Sequence, residues 1–400
     1  MDAWLAGAAP ILGIKTSSAL ESDERVCGCV GGLKVSIRTR AHTMFTWFKF
    51  RFVLLALAAL SLLTGLWAGA LRLGLDLPAL NQELQPNHGP VMVVGFLGTL
   101  IALERAVALD RFWPYGAALL AAVSVLSILF GYPSELGAAL ALGASCLLTG
   151  VFVSLQRQAP GAHFVVMILS AVAASVGNAL WLSAQPFNLA VPWWAGFLVL
   201  MIAAERLQLS RVMQRPAHAS LLFYMCVAVL PMGLAISLAA FESGIRIAGL
   251  ALSVLALWLL RYDITRRTIR EHGLPRYMAV CLLSGYLWLA GAGTLWITFA
   301  NDFVAGPKYD AMLHAVFLGF VFSMIFAHAP VIFPSITGRP LPFDRSFYLH
   351  LILLHGSLLL RVVGDLLGAP LFQQWGGLGN IAAVLLFLFN NMRATVMARS

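Results

Sequence analysis

Apolar residues run along this chain in blocks of about 20, separated by short stretches that hold most of the charges. A helix rises 1.5 Å per residue, so a block of that length crosses the hydrocarbon of a bilayer. A membrane β-strand would instead alternate apolar and polar positions over about ten residues. The blocks predict helices over 52–74, 90–109, 114–131, 136–155, 164–184, 191–209, 219–240, 245–262, 277–300, 311–334, 346–367 and 378–398. Before the first block, charges and glycines interrupt every apolar stretch in residues 1–43. Met44 is followed by Phe45-Thr46-Trp47-Phe48 and leads directly into the first apolar run. Residues 1–43 are therefore expected to be a disordered leader or start-site extension, and 44–400 one membrane domain.

Composition strengthens this picture. Hydrophobic residues make up 60% of the chain and charged residues 11%. A soluble domain is about half apolar and about a quarter charged. So few charges cannot cover an aqueous surface, and lipid is the expected solvent. In lipid every backbone N–H and C=O must be satisfied internally, which admits helices and closed barrels only. The expected fold is an all-α polytopic bundle of about twelve transmembrane helices.

A net charge of +9 raises the question of nucleic acid, and the placement of the charges answers it. Arg38, Arg40, Lys49 and Arg51 precede the first span. Arg105 and Arg111, Arg157, Arg206, Arg211 and Arg215, the run from Arg261 to Arg276, and Arg339 with Arg345 fall in every second loop. Intervening loops carry Asp76, Glu83, Glu135, Glu242, Asp302 and Asp310 with isolated cations. Lys and Arg are retained on the cytoplasmic side, so the alternation predicts both termini inside. The positive charge reports topology, not nucleic-acid binding. Of the five cysteines, Cys146, Cys226 and Cys281 fall inside spans, a placement unlike a secreted disulfide framework.

One internal repeat stands out. Gly95-Phe96-Leu97 leads to Glu104-Arg105, and Gly196-Phe197-Leu198 leads to Glu205-Arg206, 101 residues later. Gly319-Phe320-Val321 leads to His328, with His in place of the acid. The pattern fits either a shared helix-end anchor, in which an acid snorkels beside its own Arg, or an old duplication around a central site.

Five of nine histidines lie in or at the edge of spans: His88, His314, His328, His350 and His355. Polar groups at membrane depth are costly and mark functional interiors. His88 and His314 each enter their span from the outer face, which places two imidazoles from different helices at one level, as a six-coordinate haem b requires. His328 lies 14 residues beyond His314, about 21 Å further in, on the same helix face. His350 and His355 fall near the depth of His328 and are candidates, with it, for a second metal site. They are five residues apart, about 140° around the helix, so they should serve different neighbours. Arg361 and Asp365 extend the face of His350 and suit a propionate, an ion pair or a proton route.

Several segments resemble a known family. Phe50-Arg51-Phe52 with Leu54-Leu55, His88 with Met92 and Gly95-Phe96, His314-Ala315 with Gly319 and Met324, Thr337-Gly338-Arg339-Pro340-Leu341, and Leu360-Arg361-Val362 together look like motifs of the NnrS family. Gly89-Pro90, Val331 and Ile336 depart from its pattern. The resemblance implies a twelve-span bacterial inner-membrane protein that binds haem and copper and takes part in the response to nitric oxide. It also implies a distant likeness to haem–copper oxidase subunit I. The expected partners are the bilayer and a small gaseous ligand. A proton-coupled secondary transporter with a buried His/Glu/Arg pathway, and an assembly factor without a cofactor, are the rival readings.

Overall fold

The computed structural model describes residues 34–78, 80–109, 111–210 and 215–397, with side chains from residue 50 onward. Among them the chain forms helices and no strands. In chain order the spans are α1 (Lys34–Arg72), α2 (His88–Leu109), α3 (Tyr115–Leu129), α4 (Ser134–Gln158), α5 (Ala162–Leu182) and α6 (Phe187–Leu209). They continue with α7 (Ala217–Ser237), α8 (Phe241–Tyr262), α9 (Leu274–Thr298), α10 (Pro307–Thr337), α11 (Phe347–Leu367) and α12 (Pro370–Met397). Eleven are long and apolar enough to cross a membrane, and α3 is a shorter apolar helix of 15 residues. The protein is a polytopic all-α bundle, and each of the twelve expected spans has a helix at its place, eleven of them long enough to cross a membrane.

Two boundaries lie well outside expectation, and the others differ by four residues or fewer. Helix α1 begins at Lys34, so the last ten residues of the expected leader are helical, while 1–33 lies outside the described residues. Helix α12 begins at Pro370, eight residues before the expected 378. Its first turns hold Gln373, Gln374, Gly376 and Gly377, which dilute the apolar signal. Those glycines have a packing role instead: a Cβ on Gly376 would sit 2.5 Å from the backbone nitrogen of Arg361. Helix α12 therefore runs directly against the backbone of α11 at that residue.

Consecutive helices pack as hairpins, and α12 also touches α1, so the first and last described helices meet. Helix α6 is buried at every position from 190 to 204, a stretch without a single charge. A helix apolar on all sides belongs in the interior of a bundle. Small residues bring α8 and α9 together, because a Cβ on Gly249 would lie 2.7 Å from the carbonyl oxygen of Gly293. Gly291, in the same small-residue run, faces open space.

Motif residues near the helix ends hold helices together. Arg51 Nε donates to the Tyr115 hydroxyl at 2.8 Å, tying α1 to α3. Gly338 ends α10 in the left-handed conformation at φ 67°, which glycine adopts without a steric penalty. The Arg339 guanidinium that follows lies 5.5 Å from the centre of the Phe52 ring on α1. Asp344, in the loop before α11, accepts from the Ser346 amide and pairs with Arg393 of α12 at 2.8 Å. Hydrogen bonds from Ser346, and then Arg393, hold its carboxyl below the usual range.

Candidate functional site

The site is built where α1 meets the start of α2. Gly65 and Gly69 are one turn apart on α1, the small-xxx-small spacing that lets helices in lipid approach closely. A Cβ on Gly69 would fall 3.2 Å from Cε1 of His88, so the imidazole lies against a surface that any larger residue would invade. The Gly65 carbonyl takes the His88 ring nitrogen Nδ1 at 2.9 Å. A carbonyl only accepts, which assigns the proton to Nδ1 and leaves the lone pair on Nε2. Among the described residues Nε2 has no protein partner.

His314 repeats this arrangement on α10. Its Nδ1 donates to the Asp310 carbonyl at 2.7 Å, again leaving Nε2 with its lone pair. Each histidine is followed by an eight-residue π-helical segment, Val91–Gly98 in α2 and Ala315–Phe322 in α10. Such segments are rare and are frequent at functional sites. The wider turns carry Phe96 and Phe322, whose rings stand 6.0 Å apart between the two helices.

His88 and His314 line one cavity. It holds about 180 Å³ of room for water-sized occupants within about 1210 Å³ of open space counted out to its mouth. Sites for small molecules and cofactors occupy about 300–1,000 Å³, so the enclosed room of about 180 Å³ is below that range and a large planar group would have to spread the walls. Leu66 and Met92, Leu97, Phe317, Phe322 and Trp194 form apolar walls. Arg72, Asp310 and Arg361 supply the charge. Asp310 stands between the two guanidiniums, 3.9 Å from Arg72 and 3.6 Å from Arg361. Both contacts are long for charge-assisted bonds, which run about 2.7–2.9 Å. The Nε of Arg361 is buried and has no partner.

The structure thus places His88, His314 and Arg361 along one cavity. It also supplies two groups that sequence reasoning passed over. Arg72 sits at the outer end of α1, where the cation pattern is otherwise sparse, and that misfit was the available signal. The spacing of Gly65 and Gly69 was the other.

The remaining three histidines are engaged elsewhere. His328 donates from Nδ1 to the Met324 carbonyl at 2.6 Å and accepts at Nε2 from Arg206 at 2.6 Å. His350 contacts the Tyr277 hydroxyl at 2.9 Å and the Asn390 amide at 3.1 Å. His355 accepts from the Trp288 indole at Nδ1, 2.9 Å away, which puts its proton on a buried, unpartnered Nε2. In each ring the lone pair a metal would need is already taken. Among the described residues no group of three or more His, Cys, Asp or Glu side chains comes together as a metal site.

The repeat residues converge in the inner half. Arg105 reaches Glu205 at 2.5 Å as well as its own neighbour Glu104 at 3.2 Å. Arg206, the equivalent residue of the second copy, is the one that contacts His328 of the third. Both arginines are buried, and each has an Nε without a partner.

No curated protein and no solved structure matches this chain. A family model described as "Domain of unknown function (DUF8744)" matches residues 51–396, which include every residue that lines the cavity. The chain belongs to that family.

Proposed function

We propose that this protein binds haem b between α2 and α10, with His88 and His314 as the imidazoles that would hold it, and that it serves nitric oxide or nitrogen-oxide physiology in a bacterial inner membrane. One observation carries the reading: two histidines from different helices line one cavity, each with Nδ1 committed to a backbone carbonyl. That hydrogen bond to the carbonyl fixes the ring and its tautomer, the usual arrangement of a metal-ligating histidine. Two free imidazoles make a poor site for a bare ion, but they complement a ring that brings four nitrogens of its own.

The other lining residues fit the same group. Arg72 and Arg361 offer guanidinium donors to its carboxylates, and the leucine and phenylalanine walls exclude water from its faces. When bound, haem supplies a redox-active iron and a centre for small diatomic ligands. The protein's part is to hold the two rings, balance the carboxylates and keep the cavity dry. The link to nitric oxide rests on the likeness to NnrS motifs. Copper has no comparable protein-only site among the described residues.

The absorbance spectrum of protein purified from cells with ample haem tests the reading. The expected result is a Soret band that His88→Ala and His314→Ala each abolish or shift, while His272→Ala in an inner loop changes nothing. Haem-free wild type would overturn it. The buried Arg105–Glu205 and Arg206–His328 contacts would then favour the rival reading, a proton-coupled transporter.

A further inference from the structure

A second, smaller chamber adjoins the histidine cavity. It has room for about 30 Å³ of water-sized occupants, and all but one of its lining residues are buried. Its walls come from α2 to α6, and Ala121, Ala141, Ala144 and Ala174 set its width. Val93 and Trp194 line both spaces, so a single layer of side chains divides them. The indole is firmly held: its Nε1 donates to Asn178 at 2.9 Å, and a Cβ on Gly177 would stand 2.7 Å from that nitrogen. On its other side Cζ3 lies 3.9 Å from a Cβ placed on Gly89, the residue after His88.

A water needs about 10–15 Å³ of such room and two to four polar partners. The chamber has the room and lacks the partners. Its polar side chains are already matched to one another and to the backbone. The Asn178 amide donates to the Ala141 carbonyl at 2.9 Å and to Ser145 at 3.1 Å, and Ser145 donates to the Leu142 carbonyl at 3.0 Å. A dry apolar cavity of this kind takes apolar guests such as xenon.

We infer that this chamber is a docking site for a small apolar gas molecule, one partition away from the histidine cavity. The size admits a diatomic and little more. Such a gas dissolves in the bilayer and needs no polar path to arrive. The alanines matter as vacancies, since a leucine at any of them would occupy the room itself. Trp194 and Val93 are the partition through which the gas reaches the larger cavity. That destination, though not the chamber, rests on the haem reading above.

The test uses the full-length protein crystallised under xenon pressure, with binding measured in parallel by xenon NMR. The expected result is xenon seated between Ala121, Ala144 and Ala174, with affinity lowered about tenfold or more in Ala144→Leu. Should that variant not fold, Ala174→Val reads the same loss with a smaller intrusion. Ordered water in the chamber, an empty chamber, or xenon binding unchanged in the filled variant would overturn the inference. In haem-loaded protein the filled variant should also slow association of carbon monoxide after photolysis, and an unchanged rate would remove the chamber from the gas path. Xenon seated in protein that holds no haem would keep the chamber and refute the haem reading, so the two failures are distinguishable.

Discussion

A buried imidazole has two nitrogens to satisfy, and the five histidines highlighted by the sequence divide by how they do so. His88 and His314 spend Nδ1 on a carbonyl and keep Nε2 for the cavity. His328, His350 and His355 have given their lone pairs to Arg206, Asn390 or Tyr277, and Trp288. Spacing along a helix separates these cases only in part, because the partner of a ring nitrogen comes from another helix. Two predictions belong at this scale. Gly69→Leu drives a side chain into the His88 ring, so haem per protein should fall sharply, whereas Gly291→Leu, which faces open space, should leave it unchanged. His328→Ala should keep the haem spectrum and lower the melting temperature in detergent. It strips Arg206 of its contact, at about 1–3 kcal/mol for an orphaned buried group.

Among helices, length and apolarity were readable because the bilayer sets both, and every expected span is present as a helix. The starts of α1 and α12 were harder to place, since the first turns of α1 carry charges and those of α12 are glycine-rich and packed against α11. The repeated Glu-Arg helix ends admitted two readings from sequence, each acid serving its own neighbour or the copies meeting. They meet: Arg105 of α2 pairs with Glu205 of α6, and Arg206 reaches His328 of α10. Removing one partner of a buried pair costs about 3–5 kcal/mol, because the other charge stays behind. Arg105→Gln is therefore expected to unfold at a clearly lower temperature, and adding Glu205→Gln should recover part of the loss. Strict additivity of the two changes in thermal melts would contradict the pairing.

The whole bundle closes because α12 returns to α1, and that closure makes the cavity. Arg72 and Arg361 are 289 residues apart in the chain yet flank the same Asp310. No local pattern announces such a meeting, whereas the similar depth of His88 and His314 can be read from their places in two spans. Depth itself depends on orientation. A reporter fused after Arg267 should lie in the cytoplasm and one near Asp302 outside, and reversal of either would move the cavity to the opposite face. The central claim concerns what that cavity holds. Pyridine haemochrome content per purified chain, measured for wild type, His88→Ala, His314→Ala and His328→Ala, tests it most directly. Haem in the wild type and in His328→Ala, with loss in both other variants, is the predicted result; wild-type protein without haem, or haem retained in full by both His88→Ala and His314→Ala, would contradict it.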